Sequence, residues 1–263
     1  MVTVNTICNY LEAYAPAELA ESWDNTGLLV GDRTHTVDRL MTCLTITPES
    51  VTEAIDRQAN MIVSHHPLMF RPIQQITADT PAGKMLLDLI QNQIAVYSPH
   101  TSFDSTHTGI NDSIAQKLGL VEIVPIKPLT AERSNIGAGR IGCLPEPAPA
   151  SQVANSIKGL FSCNSLGVVG HPDRLVAKIG IACGSGGSFL ATVHQLGADL
   201  FVTGEADFHT CLQAKALDTA MLLLGHFTSE RFALENLAER MRQEFPLLEI
   251  WASNEESDPI VRI

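Results

Sequence analysis

Short apolar runs, too brief to be buried helices, recur along this chain, and most are followed by a stretch with helical spacing. In the first half they are "RLMTCLTIT" (39–47), "NMIVS" (60–64) and "IAVYS" (94–98). In the second they are "LVAKIGIAC" (175–183), "DLFVT" (199–203), "AMLLLG" (220–225) and "LLEIWAS" (247–253). Between them, "ESVTEAIDRQ", "PAGKMLLDLIQNQ", "NDSIAQKLGL", "FLATVHQLGA", "ADFHTCLQAKAL" and "SERFALENLAERMRQEF" read as helices, and Val4, Ile7, Cys8 and Leu11 mark an amphipathic helix near the start. Strand alternating with helix predicts an α/β fold, with largely parallel or mixed sheets flanked by helices. "SWDNTGLLVGD" and "HHPLMFRPIQQITADT" read as loops.

Pro125, Pro128, Pro145, Pro147 and Pro149 interrupt this rhythm, with "IGAGRIG" among them. The break predicts two α/β domains, 1–126 and 127–263, with the C-terminal part packing back on the first. The tail "SDPIVRI" reads as irregular.

In an open α/β sheet, ligands bind just past the carboxyl ends of strands. His65 and His66 follow "NMIVS", Asp104 follows "IAVYS", and His226 and Glu230 follow "AMLLLG". If the last helix begins near His226, the spacing of four places His226 and Glu230 on one face. Each feature alone has an ordinary reading: a solvated loop histidine, a helix cap, a surface pair. Three such sets at three strand ends point to metal binding. Imidazoles with carboxylates suit Zn, Mn, Fe, Co or Ni better than Ca or Mg.

Composition narrows the functional classes. A net charge of −12, from 17 Lys and Arg against 29 Asp and Glu, opposes nucleic acid as a main partner. The opening residues lack a secretory signal pattern and no run reaches membrane-spanning length, so a cytoplasmic location without membrane attachment is expected. The six cysteines contain no CxxC and read as buried thiols. "CGSGGS" (183–188) reads as a tight strand-to-helix turn, being neither a complete GxGxxG nor a Walker A loop.

"WDNTGLLVG", "IVSHHPLMF", "IAVYSPHTSFD", "GINDSIAQKLGL", "GADLFVTGEADFH" and "GHFTSE", running in order from Trp23 to Glu230, resemble the motifs of the NIF-three-like (YbgI-like) family, often named GTP cyclohydrolase 1 type 2 homologues. The resemblance implies a two-domain α/β subunit, a toroidal homohexamer and a centre of two divalent metal ions per subunit, between the domains. On it, His66 and Asp104 serve one ion, His65 and His226 the other, and Glu230 bridges both. His100, Glu205 and His209 match family positions and are candidates for catalytic, substrate-contacting or ligand-orienting work. Asp24 and Asn25 read as a turn that holds its loop. Thr45 departs from the family, many members of which carry an acid there, so any orienting role at that position is expected to be weaker.

The implied chemistry is metal-dependent hydrolysis of a nucleotide or another phosphorylated small molecule. Ser64, Ser98 and Ser229 lack a triad setting, so no serine nucleophile is expected. A non-catalytic metal-binding or scaffolding ring is the alternative.

Overall fold

The computed structural model describes residues 1–261, which leaves the last two residues of the expected tail outside the described residues. In chain order the first elements are α1 (Val4–Tyr14), β1 (Gly27–Val30), β2 (Arg39–Cys43), α2 (Pro48–Asp56), β3 (Met61–Ser64), α3 (Pro81–Gln91), β4 (Ala95–Ser98) and α4 (His100–Ser105). Next come α5 (Ile110–Lys117), β5 (Val121–Val124), β6 (Lys127–Pro128), β7 (Gly137–Ala138), β8 (Arg140–Pro149), α6 (Ala150–Leu160) and β9 (Gly167–Val169). The rest are β10 (Leu175–Ala182), α7 (Leu190–Gln195), β11 (Leu200–Thr203), α8 (Phe208–Ala216), β12 (Ala220–Leu223), α9 (His226–Glu244) and β13 (Glu249–Ala252).

The chain forms two compact units, Met1–Phe103 with Ala233–Ser257, and Asp104–Phe232 with the segment from Asp258. This division differs from the expected 1–126 and 127–263. Pro145, Pro147 and Pro149, part of the expected boundary, instead lie in β8, a ten-residue strand of the second unit's sheet. Its prolines are tolerated because β5 pairs with β8 no further than Cys143, so Pro145, Pro147 and Pro149 lie where β8 is bonded on one side only, by β10.

The first unit's sheet has the order β1-β4-β3-β2-β13. The pairings β4 with β3, β3 with β2 and β2 with β13 are parallel, whereas β1 is antiparallel to β4. Every residue of β3 is buried, as expected of a central parallel strand. The core gathers Met41, Cys43, Val51, Ile62, Leu89, Val96 and Trp251. Thr3 caps α1 through Thr6, and Thr47 caps α2 through Ser50 with Pro48 opening the helix. Strand β1 lies in a segment expected to be loop: its four half-buried residues, which begin at Gly27 and are followed by Gly31, both with positive φ, leave little alternation to read.

The second unit has a six-stranded mixed sheet, β5-β8-β10-β11-β12-β9. Strands β10, β11 and β12 are parallel, with Ala182 opposite Thr203 and Thr203 opposite Leu223, so their carboxyl ends align. Ile141, Leu190, Val193, Phe201, Ala214 and Met221 form its core. Helix α6 and strand β9 were not legible in the sequence pattern. No helix among the described residues is long and apolar enough to cross a membrane.

Candidate metal centre

In the first unit the ends of β2, β3, β4 and β13 are tied together by side chains. The ladder continues past β3, with the His65 N–H donating to Cys43 O at 3.0 Å and the His66 N–H to Leu44 O at 2.9 Å. Ser98 Oγ donates to His65 O at 2.6 Å and Ser64 Oγ to His66 O at 2.9 Å, so these hydroxyls fix backbone. Thr45 Oγ1 lies 2.6 Å from His66 Nδ1. This is a closer hold on a candidate ligand than expected of a threonine in an acidic residue's place. Glu256 Oε1 accepts the N–H groups of Leu44 and Thr45 at 2.6 and 2.9 Å, anchoring that threonine. Glu53 organises the approach to Glu256, accepting from Trp251 Nε1, Ser253 Oγ and the Asn254 N–H.

His100 opens α4 with φ +32, an uncommon backbone state for a non-glycine residue. Its ring centroid lies 5.2 Å from that of His65 and 5.6 Å from that of His66. One ring nitrogen from each of His65, His66 and His100 lies within 4.8 Å of the others, a group able to hold a metal ion. Asp24 backs His100: its Oδ1 is 2.7 Å from Nδ1, and its Oδ2 accepts from the Thr101 N–H at 3.1 Å. Burial pushes the Asp24 carboxyl up, but the hydrogen bonds from His100 and Thr101 outweigh it and hold the pKa at about 2. Asp24 is thus more than the turn former the sequence suggested. Its role depends on α4 approaching its loop, a relation local sequence does not encode.

In the second unit Asp104 lies inside α4, rather than directly at a strand end as expected. Asn111 links it to the turn after β10, donating to Asp104 O at 3.1 Å and accepting the Cys183 N–H at 2.8 Å. Cys183 Sγ donates to Asp104 Oδ1 at 3.2 Å. Burial, then the negative fields of Asp104 and Glu230, push the Cys183 thiol well above its ordinary pKa. That carboxylate field around a neutral thiol suits a cation.

Gly184, φ +58, follows at once. A Cβ there would lie 2.1 Å from Glu230 Oε1, so only glycine admits the carboxylate. The rest of "CGSGGS" is the tight turn expected, its Gly184 and Gly186 N–H groups taken up by Ser229 Oγ and Thr203 Oγ1 at 3.0 and 3.1 Å.

Helix α9 begins at His226, with His226 Nε2 3.1 Å from Glu230 Oε2 and Nδ1 3.1 Å from Glu205 Oε1. The Glu230 hydrogen bond, aided by Glu205 and opposed by burial, raises the His226 pKa to about 9. Glu205 thus faces a candidate ligand directly. His209 does not accompany it: Asp207 caps α8, leaving Glu205 before the helix and His209 exposed beside Phe208, at 5.7 Å between centroids. Glu205 and His209 therefore do not share a helix. Ser229 Oγ donates to His226 O at 2.8 Å, a third serine that holds backbone.

Two mixed α/β units carrying buried and half-buried His, Asp and Glu groups that can hold metal ions define the class of protein. The chain belongs to the Duf34/NIF3 (NGG1p interacting factor 3) family, whose profile matches residues 2–259. It is 35% identical over 259 residues to a protein of Clostridium perfringens named GTP cyclohydrolase 1 type 2 homolog, covering 97% of this chain and 98% of that one. Its fold is similar to that of a Bacillus cereus protein related to NIF3, with a TM-score of 0.91 at 22% identity over 99% of each chain. A hypothetical protein of Staphylococcus aureus matches with a TM-score of 0.90 at 26% identity, covering 100% of this chain and 99% of that one.

Proposed function

We propose that this protein is a metal-dependent hydrolase of a nucleotide or another phosphorylated small molecule, using a dinuclear divalent centre held by His65, His66, Asp104, His226 and Glu230. The observation that carries this reading is the convergence of the His65 and His66 rings, with His100 beside them and its Nδ1 held by Asp24. The donor set fits divalent Zn, Mn, Fe, Co or Ni, since imidazoles are joined by carboxylates. Gly184 leaves room for Glu230, the residue to which the family resemblance gives a bridging role.

When bound, two such ions would activate water and polarise a phosphoryl or carbon–nitrogen centre. The chain's own residues do the rest. Thr45 and Glu205 each occupy the Nδ1 side of a ligand histidine, orienting His66 and His226. Asp24 accepts the Nδ1 proton of His100, which leaves Nε2 to take a proton from the nucleophile or give one to the leaving group. Ser64, Ser98 and Ser229 are committed to backbone carbonyls, consistent with a reaction that uses no serine nucleophile.

The test is metal analysis of protein purified without chelator, followed by a screen of phosphomonoesters, phosphodiesters and nucleoside triphosphates. Stoichiometric metal with turnover that chelation abolishes is the expected result. Undiminished turnover in metal-free protein would overturn the reading. Full metal loading without turnover would leave the non-catalytic metal-binding or scaffolding ring as the better account. A toroidal homohexamer in the cytoplasm completes the proposal on the family resemblance, and light scattering checks the assembly.

A further inference from the structure

Trp23 is 60% exposed and Phe70 51%, which is unusual for such large apolar side chains. They come from loops 47 residues apart in sequence, yet their rings are nearly parallel, with centroids 6.4 Å apart and an interplanar angle of 18°. Both meet His100 edge-on, Phe70 at 5.3 Å and 88° and Trp23 at 6.0 Å and 74°. The pair is therefore continuous with the His65, His66 and His100 group, all within the first unit.

The loops are held in place. Asn25 Nδ2 donates to Met69 O at 2.6 Å, tying the residue two after Trp23 to the residue before Phe70. The Glu21 N–H donates to Thr101 Oγ1 at 3.0 Å, and Asp24 joins the same loop to His100 and Thr101. Between these anchors Trp23 faces solvent while the adjacent Asp24 side chain is fully buried. Aromatic faces held open by polar ties in this way lose little conformational freedom when a ligand stacks on them.

We propose that Trp23 and Phe70 form a stacking subsite for a planar heteroaromatic ring, so that the substrate of the neighbouring centre is a ring-bearing phosphate such as a nucleotide rather than a bare sugar phosphate. The substrate role rests on the hydrolase reading, whereas ring binding itself does not depend on it. Stacking accepts any flat π-face, so the subsite selects for an aromatic ring without reading which base it is. His100 lies between the ring subsite and the histidine group, where it can meet the linkage joining ring and phosphate.

The test uses the metal-loaded full-length protein, with GMP, CMP and ribose 5-phosphate as probes in calorimetry and in quenching of tryptophan emission. The other tryptophan, Trp251, is buried, so Trp23 is the exposed reporter. GMP and CMP are expected to bind saturably and to quench, both more tightly than ribose 5-phosphate. Trp23→Ala and Phe70→Ala should each weaken nucleotide binding roughly five- to a hundredfold, leave ribose 5-phosphate unchanged and keep the wild-type melting temperature. Trp23→Phe should restore most of the loss.

Equal binding of all three probes, binding of none, or nucleotide affinity unchanged in both alanine variants would overturn the subsite. So would conversion to smaller oligomers in light scattering, which would make this face a contact between copies of the chain. Ring-dependent binding without turnover of any phosphate substrate would uphold the subsite while removing the hydrolase reading.

Discussion

His100 Nδ1 lies 2.7 Å from Asp24 Oδ1 across a sequence separation of 76 residues, with both side chains nearly or wholly buried. Asp24 keeps its charge throughout the neutral range, because its pKa is held at about 2. Asp24→Asn removes that charge and places an amide against the Thr101 donors. Turnover is expected to fall by about a hundredfold or more, with metal content retained. Steady-state kinetics with metal quantified on the same samples checks this, and wild-type turnover would rule out His100 as a proton carrier.

Gly184→Ala forces a Cβ to within 2.1 Å of Glu230 Oε1 and places alanine at φ +58. The backbone strain alone costs about 1–2 kcal/mol. The expected result is a lower melting temperature together with loss of bound metal. A variant with full metal content would show that Glu230 can bind from elsewhere.

If Glu230 bridges two ions, Glu230→Ala should lose nearly all metal, whereas Asp104→Ala should lose closer to half, since a terminal carboxylate offsets the charge of one ion. Metal-to-protein ratios after identical purification decide between them. Equal losses would contradict the bridging assignment.

Arg140 is 1% exposed and donates to Asp112 Oδ1 and to the carbonyls of Ser105, Thr106, Gly137 and Gly139. Arg140→Met leaves those acceptors and a buried Asp112 carboxylate uncompensated. A loss of about 3–5 kcal/mol is expected in urea unfolding, and weaker metal retention should follow, because Ser105 adjoins Asp104. A change below about 1 kcal/mol would show that the network is dispensable.

Burial raises the Cys8 thiol from 9.0 to about 11, and burial also moves the Tyr97 phenol upward. A folded-state pKa above the unfolded value means that the stabilisation is complete below pH 9 and is lost as pH rises through about 11. Urea midpoints should therefore fall across that window, and Cys8→Ala should flatten the fall. Cys8 should also resist alkylation at pH 8 until the chain unfolds. Rapid modification of the native protein would contradict this.

Central strands were legible because each is an apolar run of strand length next to a capped helix, as with β3, β4 and β11. Elements β1, α4, α6 and β9 were not, because they are short, half-buried or bounded by glycine and proline. The prolines of β8 signalled a break because sequence does not show that one side of that strand is unbonded past Cys143. The candidate ligands His65, His66, Asp104, His226 and Glu230 could be named because metal chemistry restricts residue type and they fall near strand ends. The partner of Glu205, His226, lies 21 residues away, so their contact was not legible, and the Asp207 cap keeps Glu205 out of the helix that carries His209.

The sequence by itself determined the α/β class, the family and the candidate metal-binding residues, since hydrophobic period, capping and ligand chemistry are local or compositional properties. Only the tertiary structure decided which groups hold the candidate ligands. Asp24 on His100, Thr45 and Glu256 behind His66, and the space at Gly184 for Glu230 are contacts between segments distant in sequence. The physical reason is range: apolar periodicity acts over a few residues and specifies elements, whereas hydrogen-bond geometry at a buried site is set by how the sheet edges bring separate loops together.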